Sequence, residues 1–232
     1  MNWDVTPGAV ALFLTTGLSL FLAGIVWGRN LREAGGLFAA VMLAVAEWCL
    51  VAGLEAAAVP LASKLTWSKL EYVGNGATAA LFLLFAARWS GRVAWLQDRR
   101  RWLTFLLPAA GIALATTNEH HYLMWTSFTP GAAGSNIVIY GHGLGYFLVV
   151  GAIYAYIVSA CVLLALPPAR PLPRPRHEAR TILIAAVFPL SAGILYSIGI
   201  DPVPGLNLVP ISFFFTTVVF FIGMGFFRVF DL

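Results

Sequence analysis

The 232-residue chain is 60% hydrophobic and only 10% charged, with a mean hydropathy of +0.84 and a formal net charge of +4. A soluble domain carries about 25% charged residues, so a water-soluble core protein is the wrong class. The positive charge is not gathered into a basic patch interleaved with stacking aromatics, which argues against a nucleic-acid partner.

Apolar runs of about 20 residues with short polar breaks are the signature of a polytopic helical membrane protein. The first predicted span is Pro7 to Trp27, with proline in the first turn, where a missing N–H costs little. Gly24 and Gly28 form a small-xxx-small pair suited to close helix approach. No cleavable signal peptide is expected, because the N-terminus lacks a basic region and Asp4 precedes the apolar run. Arg29, Arg32 and Glu33 make a turn into the second span, Ala34 to Ala58, which contains Glu47 and Glu55. Pro60 through Lys64 make the next turn, and the third span, Trp67 to Ala87, carries Glu71 and Asn75.

A basic stretch follows, with Arg88, Arg92, Arg99, Arg100 and Arg101 against Asp98, before a short fourth span from Trp102 to Thr117. Thr117-Asn118-Glu119-His120-His121-Tyr122-Leu123-Met124-Trp125 then opens the one long outer connection, running to about His142. Gly131, Gly134 and Ser135 predict irregular or turn structure there. The fifth span is His142 to Leu166, and Pro167 to Pro175 is a stiff, non-helical Pro/Arg connector. The sixth, Thr181 to Ile200, has Pro189 as its kink. Asp201 to Asn207 is a turn, and the seventh span, Leu208 to Phe227, leaves through Arg228–Leu232. Cys49 and Cys161 lie inside apolar runs, as packing residues do, rather than as a disulfide or metal ligands.

The expected fold is an all-α membrane protein, a single seven-transmembrane helix bundle over residues 1–232 with no internal repeat. All twelve arginines fall on alternate connections of one side, whereas Lys64 and Lys69 lie on the other. By the positive-inside rule the N-terminus is outside and the C-terminus cytoplasmic, in the plasma (inner) membrane.

Glu47, Glu55 and Glu71 lie within spans, where a mid-bilayer charge costs about 3 kcal/mol and such groups face the bundle or a wet cavity. Glu47 is the deepest; Glu55 lies about two turns on and about 80° round the helix. Glu55, Glu71 and Asn75 can share one outer half-cavity with the Asn118–His121 rim, His142, Tyr196 and Asn207. Two readings stand: hydrogen bonds that fix helix register, or a site for a small-molecule, ion or proton cue. His120, His121 and His142, with Glu119, suit pH sensing or a weak metal site, although no fixed ligand spacing is present. Trp3, Trp67, Tyr72, Tyr122, Trp125 and Tyr140 read as an outer interfacial belt.

Enzyme and cofactor readings fail on residue types. The seventh span has no lysine for a retinal Schiff base, and no histidine is mid-span for haem. HExxH, GxSxG, Walker and kinase signatures are absent, so neither a catalytic residue nor a cofactor is expected in these residues.

The order of elements resembles the N-terminal seven-transmembrane sensor region of membrane histidine kinases. The residues that carry the resemblance are Leu54-Glu55, Leu70-Glu71-Tyr72-Val73-Gly74, and Thr117-Asn118-x-x-His121-x-Leu123-x-Trp125. Further along come Tyr140-Gly141-x-Gly143, Tyr154-x-Tyr156, Pro189 with Leu195-Tyr196, and the exit Phe230-Asp231-Leu232. The family's Asp-x-Thr-Pro at the last helix is here Asn207-Leu208-Val209-Pro210. The resemblance implies cytoplasmic kinase and PAS modules in cis, or an effector in trans, and a homodimer. On this reading a cue in the outer half-cavity repacks the last two helices, with Pro189 and Pro210 as flex points; Glu47 is an intramembrane polar residue with a signalling role. The rival expectation is a small ion- or proton-coupled transporter or channel using the three glutamates.

Overall fold

The computed structural model describes residues 2–28, 33–92, 94, 98–167, 176–200 and 206–226. Three long helices come first: α1 (Pro7–Gly28), α2 (Glu33–Ala57) and α3 (Leu61–Ser90). A 3-10 helix (Arg99–Phe105) leads into α4 (Leu106–Thr116) and a single turn, α5 (Asn118–His121). A two-stranded hairpin of β1 (Trp125–Pro130) and β2 (Val138–His142) precedes α6 (Leu144–Ala165), α7 (Arg176–Ser197) and α8 (Leu208–Phe226).

Among the described residues five helices are long and apolar enough to cross a membrane: α1, α3, α6, and the stretches Gly35–Ala57 of α2 and Ala179–Ser197 of α7. In α8 the apolar part, Leu208–Gly223, is shorter. The expected fourth span is split. Its α-helical part has only 11 residues, about 17 Å at 1.5 Å per residue. The preceding 3-10 turns add about 14 Å at 2 Å per residue, and together they match the roughly 30 Å hydrocarbon core. Pro108 has no N–H for the Thr104 carbonyl, which marks where 3-10 geometry gives way to α.

Two other boundaries differ from expectation. α3 begins at Leu61 directly after Pro60, so the expected Pro60–Lys64 turn is helical from Leu61 on, and Lys64 lies in the first helical turn, 1% exposed. The long connection after α5 is an antiparallel hairpin rather than irregular chain, pairing Phe128 with Tyr140 and Pro130 with Val138. Its β-branched and aromatic runs, Trp125–Thr129 and Ile137–Tyr140, flank a glycine-containing turn in which Gly134 takes φ +80°. The Arg29–Arg32 turn, most of the Pro/Arg connector, the prolines at 202 and 204 and the Arg228–Leu232 exit lie outside the described residues.

The core forms where α2 packs between α1 and α3 and α8 closes against α1 and α7. Phe38 meets Phe220 edge-on with ring centroids 4.8 Å apart. Gly74 sets the α2–α3 distance: a Cβ there would stand 2.7 Å from the Trp48 backbone nitrogen and collide with the Glu47 carboxylate. Gly24 and Gly28, by contrast, have nothing within 4 Å of where a Cβ would stand, so the small-xxx-small pair packs against nothing among the described residues.

Candidate functional site

Beneath the hairpin, α2, α3, α6, α7 and α8 enclose a cavity of about 600 Å³. Helical spacing builds its polar side: Ser68, Glu71, Asn75 and Thr78 of α3 lie three, four and three residues apart, so all share one face. Trp48 and Glu55 occupy the matching face of α2, seven residues apart, and the alternation of β2 turns Val138, Tyr140 and His142 inward together.

Hydrogen bonds tie the hairpin to the helices. Tyr140 donates its hydroxyl to Glu55 Oε1 at 2.9 Å, and Ser68 Oγ lies 2.8 Å from the same hydroxyl. A phenol has one proton, here directed at the carboxylate, so Ser68 is the donor to Tyr140. Lys64 Nζ donates to the Glu55 carbonyl at 2.9 Å and stands 3.8 Å from Glu55 Oε1. Asn136, in the hairpin turn, donates to the carbonyls of Ala56 and Ala58, each at 3.1 Å, covering the end of α2. The N-terminal segment joins the same end through Asp4 N–H on the Ala57 carbonyl at 2.7 Å.

Deeper in the cavity, Trp48 Nε1 donates to Glu71 Oε2 at 3.1 Å. Thr78 is buried, and its hydroxyl has no partner among the described residues. The His142 ring stacks on Tyr146 with centroids 3.7 Å apart and 7° between planes, and its buried Nδ1 has no hydrogen bond among the described residues. Burial holds the His142 imidazole well below its ordinary value, at about 4, so it is neutral at physiological pH. Burial first, and then the Glu55 carboxylate, pushes the Tyr140 phenol far above its usual range, keeping it a donor.

Of the expected site residues, Glu55, Glu71, Asn75, Trp125, His142, Tyr196 and Asn207 line this cavity, as do Pro189 and Pro210. Asn118 and His121 do not join it. Asn118 is buried as a turn clamp: Oδ1 accepts from the N–H groups of Met124 and Trp125, and Nδ2 donates to the Trp125 carbonyl. His121 is spent on its own turn, with Nδ1 accepting from Leu123 N–H and Nε2 3.0 Å from Thr117 Oγ1. The reason is local: α5 stops after one turn at Tyr122, φ +53°, and these side chains close that reversal. Glu119 and Lys69 form an exposed ion pair outside the cavity, and the Lys69 ammonium holds the Glu119 carboxyl below its ordinary value.

Glu47 does not line the cavity either; it sits in the α2–α3 seam with its carboxylate against Gly74. His120 is exposed, and among the described residues no three His, Cys, Asp or Glu gather as a metal site would require. Asn207 lines the cavity but also caps α8, its Oδ1 accepting from Val209 N–H at 3.0 Å. Pro210 lies in the first turn of α8, where its missing N–H removes no helical bond, so it is not a flex point of the kind expected. Three aromatics assigned to the interfacial belt are inside instead: Tyr72 and Trp125 are buried and meet at 5.8 Å, and Tyr140 reaches Glu55. Trp3 and Tyr122 are exposed, as belt residues are.

Lys64, Ser68, Tyr140, Tyr154 and Thr216 were not singled out from sequence as site residues. Ser68 and Thr78 had a signal, since they extend the Glu71–Asn75 spacing by one step each way. Tyr140 had one in the strand alternation. Thr216 had none, because its partner is a backbone carbonyl on another helix: Thr216 Oγ1 donates to Ala185 O at 2.8 Å.

The match between these elements and a known family is specific. A family model described as the N-terminal 7TM region of histidine kinase matches residues 11–232, which includes every helix and strand of the site and no catalytic domain. No curated protein matches the chain. With membrane-length helices and that match over nearly its whole length, the chain belongs to the family of N-terminal 7TM sensor regions of histidine kinases.

Proposed function

We propose that this chain is a seven-span receptor in the plasma membrane, N-terminus outside, whose outer cavity takes up a cue and repacks α7 against α8. The cytoplasmic end of α8 then passes the change to a kinase module in cis within a homodimer. The seven crossings are α1, α2, α3, the 3-10 helix with α4, α6, α7 and α8. Support for the orientation comes from Arg92, whose guanidinium donates twice to the Pro167 carbonyl, at 2.9 and 2.5 Å. That contact joins two arginine-rich connections at the end of α3 opposite the hairpin, as the positive-inside rule requires.

The observation that carries the reading is that one cavity touches both the hairpin groups and the α7–α8 seam. Tyr140 and Glu55 stand at its outer end, while Ala186, Pro189 and Thr216 stand in its wall. Pro189 has no N–H, so the Ala185 carbonyl four residues earlier has lost its helical partner, and Thr216 of α8 supplies the donor. An occupant therefore presses directly on a seam held by a side-chain bond instead of a continuous backbone ladder.

The test is a chimera of this region with a heterologous kinase core and a transcriptional reporter. Ala186→Phe, which fills the cavity, should fix the output and abolish the response to cue-containing medium. Val187→Phe, at the exposed position next to it, should leave it intact. A normal response from Ala186→Phe at normal expression overturns the proposal.

A further inference from the structure

The charges facing the cavity name the chemistry of its occupant. Among the described residues three carboxylates line it, Asp4, Glu55 and Glu71, and no lysine or arginine does. Glu55 is answered from behind the wall by Lys64, 3.8 Å away, and by the Tyr140 hydroxyl. Among the described residues Glu71 has no such cation: its hydrogen-bond partner is the Trp48 indole N–H, a neutral donor. A neutral His142 adds no positive charge. An isolated carboxylate in an apolar enclosure is costly unless a counter-charge reaches it.

The surroundings suit a cation that is also apolar. Trp48, Tyr72 and Trp125 stand in the wall around Glu71, and aromatic faces attract ammonium groups, more strongly when water is excluded. Beyond them the cavity runs inward between Phe82, Phe213 and Ile182, which offer only hydrocarbon. The volume of about 600 Å³ lies within the range of small-molecule sites.

We infer that the cavity binds an amphipathic organic cation, a lipophilic amine, with its ammonium on Glu71 and its apolar body directed inward between Phe82, Phe213 and Ile182. This rests on the cavity being the sensory site proposed above.

The experiment uses three near-isosteric probes that differ in charge: 4-phenylbutylamine, 4-phenylbutan-1-ol and 4-phenylbutyrate. Each is titrated into the full chain in zwitterionic nanodiscs, with empty discs as the blank, following tryptophan fluorescence and thermal unfolding. The amine should bind at least about 10-fold more tightly than the alcohol, and the carboxylate should not bind. Glu71→Gln should bring amine and alcohol within about two-fold, Glu71→Asp should keep the amine preference, and Glu119→Gln, on the outer surface, should change nothing. Equal binding of amine and alcohol, or a preference that survives Glu71→Gln, overturns the inference; the unfolding curves show that each variant is folded. The two proposals fail separately. Ala186→Phe silencing the chimera while wild type shows no amine preference sinks the ligand class alone, whereas Glu71-dependent amine binding with a chimera indifferent to Ala186→Phe sinks the sensory reading alone.

Discussion

Thr216 of α8 donates its hydroxyl to the Ala185 carbonyl of α7, the acceptor that Pro189 leaves without a helical partner. The bond does two things at once. It satisfies a buried backbone group that a proline would otherwise orphan, and it makes the register of the last two helices depend on one side chain. A threonine is suited to this, because its hydroxyl reaches a carbonyl while its methyl fills the apolar space beside it.

Removing that hydroxyl has a defined cost. Thr216→Val leaves the Ala185 carbonyl buried and unpaired, an effect of about 1–3 kcal/mol. Adding Pro189→Ala returns an N–H four residues along the helix, so the double variant should be more stable than Thr216→Val alone. Thermal unfolding of the four proteins of that cycle reads the coupling. Strict additivity would show that the two residues do not share the carbonyl.

Asn118 should behave as a structural clamp. Asn118→Ala removes three buried bonds to the Met124–Trp125 backbone, for a loss of about 2–4 kcal/mol. The folded fraction should bind cavity probes as wild type does. A selective loss of probe affinity, with stability unchanged, would return Asn118 to the ligand site.

Tyr140→Phe should loosen the hairpin without unfolding the bundle. It deletes the bond to Glu55 and strands the Ser68 hydroxyl, while Asn136 still holds the hairpin turn to the end of α2. Hydrogen exchange at residues 138–142 should accelerate, and exchange within α1 and α2 should not. Asn136→Ala should raise exchange at the turn, and the two substitutions together should free the hairpin as a unit.

The pH dependence of stability follows from His142. In the folded protein it protonates at about 4, against an ordinary 6.5, because burial disfavours the charged ring. The unfolded chain takes up the proton first, so the contribution of neutral His142 is complete above pH 6.5 and is lost as pH falls from 6.5 towards 4. The fall in melting temperature from pH 7 to pH 5 should therefore shrink in His142→Gln. The Glu119–Lys69 pair acts in another window, since a depressed carboxyl contributes above its ordinary value of 4.5 and loses that only below it. Being exposed, its share is small. An unchanged pH 7 to 5 shift in His142→Gln would remove His142 from this role.

Much of this arrangement was readable in the chain. Apolar runs located the long helices, because burial of about 20 consecutive apolar residues leaves few alternatives; helical spacing puts Glu71 and Asn75 on one face, and Glu55 joins them by its place near the end of the preceding span. What was not legible has physical causes. Lys64 is a surface residue by type, yet a helix starting at Pro60 turns its ammonium back onto the Glu55 carbonyl, a partner on a different helix. The hairpin was hidden by its setting, since glycines in an outer connection suggest loose chain until the aromatic and β-branched runs on either side are weighed as strands. Asn118 and His121 had the right chemistry for a ligand rim, but a one-turn helix ending in a left-handed residue consumes both in closing itself. Glu47 was marked by its depth, and only the packing against Gly74 shows that it faces a helix seam and not the cavity.

The central claim is that what fills the cavity decides how α7 packs on α8. Nitroxide labels at Ile194 and Ile222, exposed positions near opposite ends of those two antiparallel helices, report their separation by pulsed electron spin resonance. Compared with the unfilled protein, Ala186→Phe in nanodiscs should shift the inter-label distance distribution by about 2 Å, the scale of helix shifts at packed interfaces. Superimposable distributions, with the filled variant folded and the cavity shown to exclude probes, would contradict the account.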